Sequence, residues 1–175
     1  MACLNAADPS RAPLVFRAWP ARLEPLSPPL RSCEGDPELL LHIPLDGAIK
    51  LKALCVIGGG DGSAPARMRA FINRDDLDFE AAASLPPTQE WDLQEANTGG
   101  VIEYPTQPAR FGGVHALTLH LVGSFGGDCL EVHFVGLKGE YTERRREAVA
   151  ATYEARPMPA DHRVAGGATG VRLGI

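Results

Sequence analysis

Residues 39–73 (LLLHIPLDGAIKLKALCVIGGGDGSAPARMRAFIN) limit the fold more than any other stretch of this chain. They hold two apolar runs, 39–45 and 48–57, that meet at Asp46-Gly47. A glycine-rich loop follows, and then a third run, 67–73. The first two runs have strand length and strand composition. Asp-Gly between apolar runs is a hairpin signal, because tight hairpin turns need positive φ at their centre. In the second run Ile49, Leu51, Ala53, Cys55 and Ile57 share one parity, while Lys50 and Lys52 fall on the other. That alternation predicts one wet and one buried face. Leu54 and Val56 break it, so the far end is expected to be covered on both faces. In the third run Met68, Ala70 and Ile72 take one side, and Arg67 and Arg69 the other.

The rest of the chain carries the same grammar. Of 175 residues, 19 are Gly and 15 are Pro, which fits many turns between short strands better than a helical bundle. Residues 1–38 contain seven prolines and read as an irregular arm, held on the body by Phe16 and Trp19. Leu77, Phe79 and residues 81–83 suggest one helical turn, closed by Pro86-Pro87. Short strands are expected at 90–93 and 101–104, with a turn at 97–100 between them. Leu117, Leu119 and Leu121 alternate with Thr118 and His120 in a strand over 114–122. Leu130, Val132 and Phe134 alternate with Glu131 and His133 in the next, after a turn at 123–128. A final strand is expected at 148–154. The expected organisation is an arm over 1–38, a β-sandwich over 39–159 and a loose tail over 160–175. Leu51, Ile72, Leu119 and Phe134 are the expected core. Short strands with little helix predict an antiparallel sandwich or barrel.

Charge and composition exclude several functions. The formal charge of −5 gives no support to nucleic-acid binding. No apolar run approaches the length that spans a bilayer. The start of the chain lacks the basic-then-apolar pattern of a secretory signal. Cys3, Cys33, Cys55 and Cys129 are far apart and read as reduced thiols rather than a disulfide framework.

Motifs that invite a chemical reading fail on spacing. Residues 58–62 are glycine-rich, but no Gly-Lys-Ser/Thr follows, Asp61 would repel phosphate, and the loop leads into a strand. Asp75, Asp76, Asp78 and Glu80 are acidic, but position 81 is Ala where a calcium loop needs Gly. His115 and His120 have opposite parity on one strand and cannot share a metal. His120 and His133 are expected to meet across neighbouring strands without a third ligand. No serine stands in a nucleophile elbow. No catalytic residue, cofactor site or metal site is assigned. The mixed run Glu143, Arg144, Arg145, Arg146, Glu147 reads as a solvated segment or as a docking surface in which arginine forks meet partner carboxylates.

Several stretches together resemble the PITH domain, the module at the C-terminus of proteasome-interacting thioredoxin-like proteins and, alone, in PITH domain-containing proteins. They are Cys3-Leu4-Asn5, Glu38-Leu39-Leu40, Ile49-Lys50-Leu51-Lys52, Met68-Arg69-Ala70-Phe71-Ile72-Asn73 and Asp78-Phe79-Glu80. Late in the chain come the stretch from Gly136 to Glu143 (GLKGEYTE), Tyr153-Glu154-Ala155 and Pro159-Ala160-Asp161-His162-Arg163. Their order and spacing together are specific, and the late ones resemble the stand-alone branch. The resemblance implies an all-β, antiparallel jelly-roll β-sandwich similar to galactose-binding-like and discoidin-like modules. It implies an intracellular protein of cytoplasm or nucleus, association with the proteasome regulatory particle for some members, and no enzyme activity. Family members carry more chain before the Cys-Leu-Asn stretch, so a first strand or edge is expected to be missing. No thioredoxin domain is present, so redox function does not carry over.

The expected function is therefore a non-catalytic interaction module, monomeric, that serves protein degradation. Its expected docking surface contains Glu140, Tyr141, Arg145 and Arg146, since Arg and Tyr often anchor interfaces. The rival reading is a small-ligand or carbohydrate-binding domain that uses end loops 58–66 and 123–128. Its weakness is aromatic poverty: Phe125 stands alone in those loops, and sugar sites want aromatics beside polar groups. A thiol-based redox enzyme ranks third, for want of paired cysteines.

Overall fold

A computed structural model describes residues 1–95 and 97–142 of the chain. The strand expected at 148–154 and the tail expected at 160–175 lie outside the described residues. The described residues form eight strands: β1 (Ala2–Leu4), β2 (Leu30–Arg31), β3 (Glu38–Gly58), β4 (Pro65–Ile72), β5 (Gln89–Asp92), β6 (Tyr104–Pro105), β7 (Val114–Ser124) and β8 (Glu131–Tyr141). A single α-helix of six residues, α1 (Phe79–Ser84), and three short 3-10 helices complete the described residues. All strand pairs are antiparallel, and hydrogen bonds link them in the order β2-β8-β3-β7-β4-β5, with β1 and β6 also on β3.

β3 corrects the hairpin reading. The two apolar runs are one strand of 21 residues, bent at its middle. Neither Asp46 nor Gly47 takes positive φ, so no tight hairpin turn forms between them. Before the bend, β3 pairs with β1 and β7; after it, with β8 and β6. Four residues of β3, 45–48, separate the registers Pro44↔Ala116 and Ile49↔Val114, against one residue of β7. Pro44 has no N–H to extend the ladder with β7, which favours the break there. Ile49 opposes both Val114 and Tyr141, so the two halves of the sheet part at that residue. The halves then lie face to face as an antiparallel sandwich. One core fills the space between them: Leu39, Leu41 and Ile43 from before the bend, Leu51, Leu54 and Val56 from after it, with Met68, Leu117, Leu119, Leu121, Val132 and Val135.

Two bulges decide which face each residue takes. Leu51 opposes Gly139 and Ala53 opposes Lys138, so Lys52 is an extra residue on β3. Ile57 opposes Phe134 and Gly58 opposes Val132, so His133 is an extra residue on β8. An extra residue resets the two-residue period. Hence Leu54 and Val56, not Cys55 and Ile57, join Leu51 in the central core. Phe134 is buried, but with Cys55 and Ile57 on the outer face, apart from Val132. The far end of the run is covered on both faces, as the break in alternation at Leu54 and Val56 predicts, since 54–57 are all buried. Leu119 is central, and Ile72 is half-buried against the same core.

Both outer faces are covered in part. Over the first half, Leu40 and Phe71 pack with Leu77 and Ala82 of the helical segment. Asp78 caps α1 by accepting the Ala81 N–H at 2.8 Å. Arg69 reaches across from β4 and donates to the carbonyls of Ala82, Ala83 and Leu85. Over the second half lies the arm. Trp19 meets Phe134 edge-on with ring centroids 6.1 Å apart, and Phe16 packs against the central core. Cys3, Ala12, Val15 and Leu30 are buried outright, so the arm supplies core residues and two edge strands. The strand expected at 101–104 is only the two residues of β6, and Val101 is exposed.

Candidate partner-binding surface

The end of β8 is built by the bend in β3. A Cβ on Gly47 would lie 2.6 Å from Cε2 and Oη of Tyr141, so the ring lies directly on the glycine backbone. Any larger residue would push the ring away. Thr142 then ties the chain down, since its N–H and its hydroxyl both donate to Ala48 O, at 2.9 and 2.6 Å. Tyr141 is thereby held in place while 62% exposed. Its neighbour Glu140 points away from that contact and pairs with Lys52, the bulged residue of β3. The Lys52 hydrogen bond, then its charge, holds the Glu140 carboxyl below the usual carboxylate range. Lys138, two residues back on the same face, pairs with Glu103 at 2.7 Å. The structure thus brings Glu140 and Tyr141 to one corner and gives each a fixed support. Arg145 and Arg146 lie outside the described residues. Sequence reasoning missed Gly47 and Lys52, because a glycine under a ring and a bulged lysine look like an ordinary turn and an ordinary wet face.

A groove of about 500 Å³ runs along the same outer face. Ala53, Cys55, Phe134 and Leu137 line it, with Phe16 and Trp19 standing at its side. Arg22 lies 4.4 Å from the Trp19 ring centroid. Asn97, itself buried, donates to Val56 O at 2.8 Å and to Ile102 O at 3.2 Å, and accepts from Ile102 N at 3.0 Å. That network fixes residues 97–102 beside β3.

The end loops of the rival reading do meet. Gly62 O accepts hydrogen bonds from Phe125 N at 2.9 Å and Gly127 N at 3.1 Å. Gly62 needs its φ of +81°, and residue 61 is also left-handed. The loops open onto a cleft of about 560 Å³ walled by Arg31, Glu34, Asp61, Ser63, Asp128 and Glu131. Phe125 is half exposed at its rim loop and is not among the wall residues.

The other sequence candidates have structural partners. Asp76 binds Arg74 with two hydrogen bonds, at 2.7 and 3.0 Å, and Asp78 is the helix cap. His42 meets Thr118 at 3.0 Å, and His120, almost fully buried, meets Glu38. The expected meeting of His120 with His133 is corrected. β3 lies between β7 and β8, and the bulge at His133 separates them further. Among the described residues no three His, Cys, Asp or Glu side chains gather as a metal site. None of the helices described is long and apolar enough to cross a membrane.

The PITH domain family model matches residues 1–157 of the chain. PITH domain-containing protein 1 of Dictyostelium discoideum is 37% identical over 161 residues, which cover 92% of this chain and 78% of that protein. The proteins of the same name from Danio rerio and Homo sapiens are each 37% identical over 163 residues. Those residues cover 93% of this chain in both cases, and 76% and 75% of those proteins.

Proposed function

The chain belongs to the PITH domain family, and from that premise we propose that it is a non-catalytic protein-interaction module that docks on the proteasome regulatory particle, in cytoplasm or nucleus. The observation that carries the reading is Tyr141, an aromatic ring held on Gly47 yet largely exposed, beside the Lys52–Glu140 pair. An aromatic that is already ordered loses little freedom on binding, which suits an interface anchor. Arg145 and Arg146 follow within a few residues in the sequence, and in this reading they supply forked donors for partner carboxylates. The test is co-purification with the proteasome regulatory particle over a salt series. Reversing the charge of both Arg145 and Arg146 is expected to weaken capture and to reduce its salt sensitivity. The melting temperature should hardly change, because exposed ion pairs are worth about 0–1 kcal/mol. Unchanged capture at every salt concentration would remove this surface from the interface.

The meeting of loops 58–66 and 123–128 favours a second reading, a small-ligand or carbohydrate site in the polar cleft. Screening the protein on a glycan array separates the two: sugar binding that Asp61→Ala removes would support the cleft, and a blank array would leave the docking surface alone.

A further inference from the structure

The ladder between β2 and β8 ends just short of two cysteines, Cys33 and Cys129, that its register would set opposite each other. Its register is Leu30↔Val132 and Arg31↔Glu131. The pairing continues past the ends of the strands: Ser32 N donates to Leu130 O at 3.0 Å, Leu130 N to the Ser32 hydroxyl at 2.9 Å, and Gly35 N to Asp128 O at 3.0 Å. Two residues, Cys33 and Glu34, stand between those contacts on one side and Cys129 alone on the other; continuing the register from Ser32 and Leu130 sets Cys33 against Cys129. The faces agree as well. Leu30, Val132 and Ser32 point inward and are buried, and Arg31 and Glu131 take the outer face and form an ion pair at 3.0 Å. Cys33 follows Ser32, is exposed, and so shares the face of Arg31. Cys129 Sγ accepts a hydrogen bond from Arg31 Nη2 at 3.1 Å, so it stands on that face too. The Cys33 N–H donates to Asn5 O, away from β8. With the register so extended, Cys33 and Cys129 would form a non-hydrogen-bonded pair, whose Cα atoms lie about 4.5 Å apart. A disulfide accepts Cα separations of about 4.4–6.8 Å. Both thiols are free, and the cleft between the end loops opens beside Cys129 with room for a small peptide.

We propose that Cys33 and Cys129 are a paired thiol site that a low-molecular-weight disulfide, such as oxidised glutathione, converts into a cross-strand disulfide. The exposed Cys33 thiolate attacks one sulfur of the small disulfide. A mixed disulfide forms and one glutathione leaves as its thiol. The Cys129 thiolate then attacks the Cys33 sulfur and releases the second glutathione. The two protons lost by the protein thiols end on the two glutathiones; the cysteines are oxidised and the small disulfide is reduced. Cys129 is buried, but Cys33 leaves one sulfur of the bridge at an exposed residue, and accessible disulfides belong to the labile, reversible class, so added thiol reverses the reaction.

The site stands apart from the docking surface and does not depend on it. The full chain is equilibrated in glutathione buffers of graded thiol-to-disulfide ratio and quenched with acid. Free thiols are blocked, and the digest is mapped by mass spectrometry. A Cys33–Cys129 linked peptide should rise with the oxidised fraction and vanish on adding thiol. Cys3, Cys55 and Cys129 are all buried, so in the reduced chain only Cys33 should be blocked before denaturation. In Cys129→Ser, glutathione should remain on Cys33 as a stable mixed disulfide. If the wild-type chain carries glutathione on Cys33 at the most oxidising ratio without the link to Cys129, or links either residue to a different cysteine, the proposal is overturned. The wild-type map decides this even if the variant folds poorly.

Discussion

Phe134 and Gly136 offer a direct measure of how the outer face of the second half-sheet is packed. The bulge at His133 turns both residues outward, onto the same face of β8. A Cβ on Gly136 would lie 2.8 Å from Cε1 of Phe134, so the ring lies on the glycine. Phe134→Ala removes a side chain that is 1% exposed. Loss of its burial costs about 2–3 kcal/mol. The edge-on contact with Trp19 adds about 0.5–1.5 kcal/mol. If Trp19 settles so that roughly 50 Å³ stays empty, the cavity adds about 1 kcal/mol at about 24 cal/mol per Å³. The expected loss is thus about 4 kcal/mol, within the usual range of about 3–5 for this truncation. Gly136→Ala alone forces the ring aside and should cost about 1–3 kcal/mol. Its φ is not positive, so the backbone itself accepts alanine. In the Phe134→Ala background the new methyl enters the space that the ring has left. There Gly136→Ala should be neutral or stabilising by about 0.4–1 kcal/mol. Urea melts followed by far-ultraviolet circular dichroism give the four stabilities of the cycle, and Trp19 emission should shift to the red when Phe134 is lost. Costs that simply add, within about 0.5 kcal/mol, would show that the ring does not rest on Gly136.

Other outcomes follow from buried polar groups. Asn97→Ala should cost about 2 kcal/mol in denaturant melts, because Val56 O and Ile102 N lose their partner. Arg69→Ala removes the donors to three carbonyls at the end of α1, and a loss of about 1.5–3 kcal/mol is expected. Burial pushes the Cys3 thiol from 9.0 up to about 12. The folded state therefore keeps a proton that the unfolded chain releases above pH 9, so this contribution is complete below pH 9 and falls away between pH 9 and 12. Comparing Cys3→Ala with the parent chain should show a flatter decline over that window in melts at a series of pH values, and equal slopes would refute it.

Much of the fold was legible because its signals are local. The alternation at 117–121 gave β7, and Leu77, Phe79 and residues 81–83 before Pro86-Pro87 marked α1. What escaped depends on partners far along the chain. The extra residue at Lys52 is defined by Gly139 and Lys138, and that at His133 by Ile57 and Gly58. No window around either position contains that information, so the sequence showed Phe134 as buried but not that it packs with Cys55 and Ile57 on the outer face. Asp46-Gly47 is a hairpin signal whose meaning was overridden by Tyr141, which lies on the glycine from the far end of another strand. Glu140 and Tyr141 were visible as exposed residue types; the supports that order them were not. The facing proposed for Cys33 and Cys129 was equally hidden, since spacing rules look for close pairs and these are brought near only by extending the register of β2 and β8.

β3 has a consequence for how the molecule comes apart. Its first half is the shared neighbour of β1 and β7, and its second half that of β6 and β8. Neither sheet can open without exposing backbone that the other needs. The molecule should therefore lack separable folding units, and the slowest amides along 39–57 should exchange with solvent only when the whole domain unfolds. It also means that neither half can be excised as a minimal fragment. Since the strands that flank β3 are drawn from both ends of the chain, its assembly must wait for long loops to close, which places folding in the slow range of about milliseconds to seconds typical of β-sandwiches.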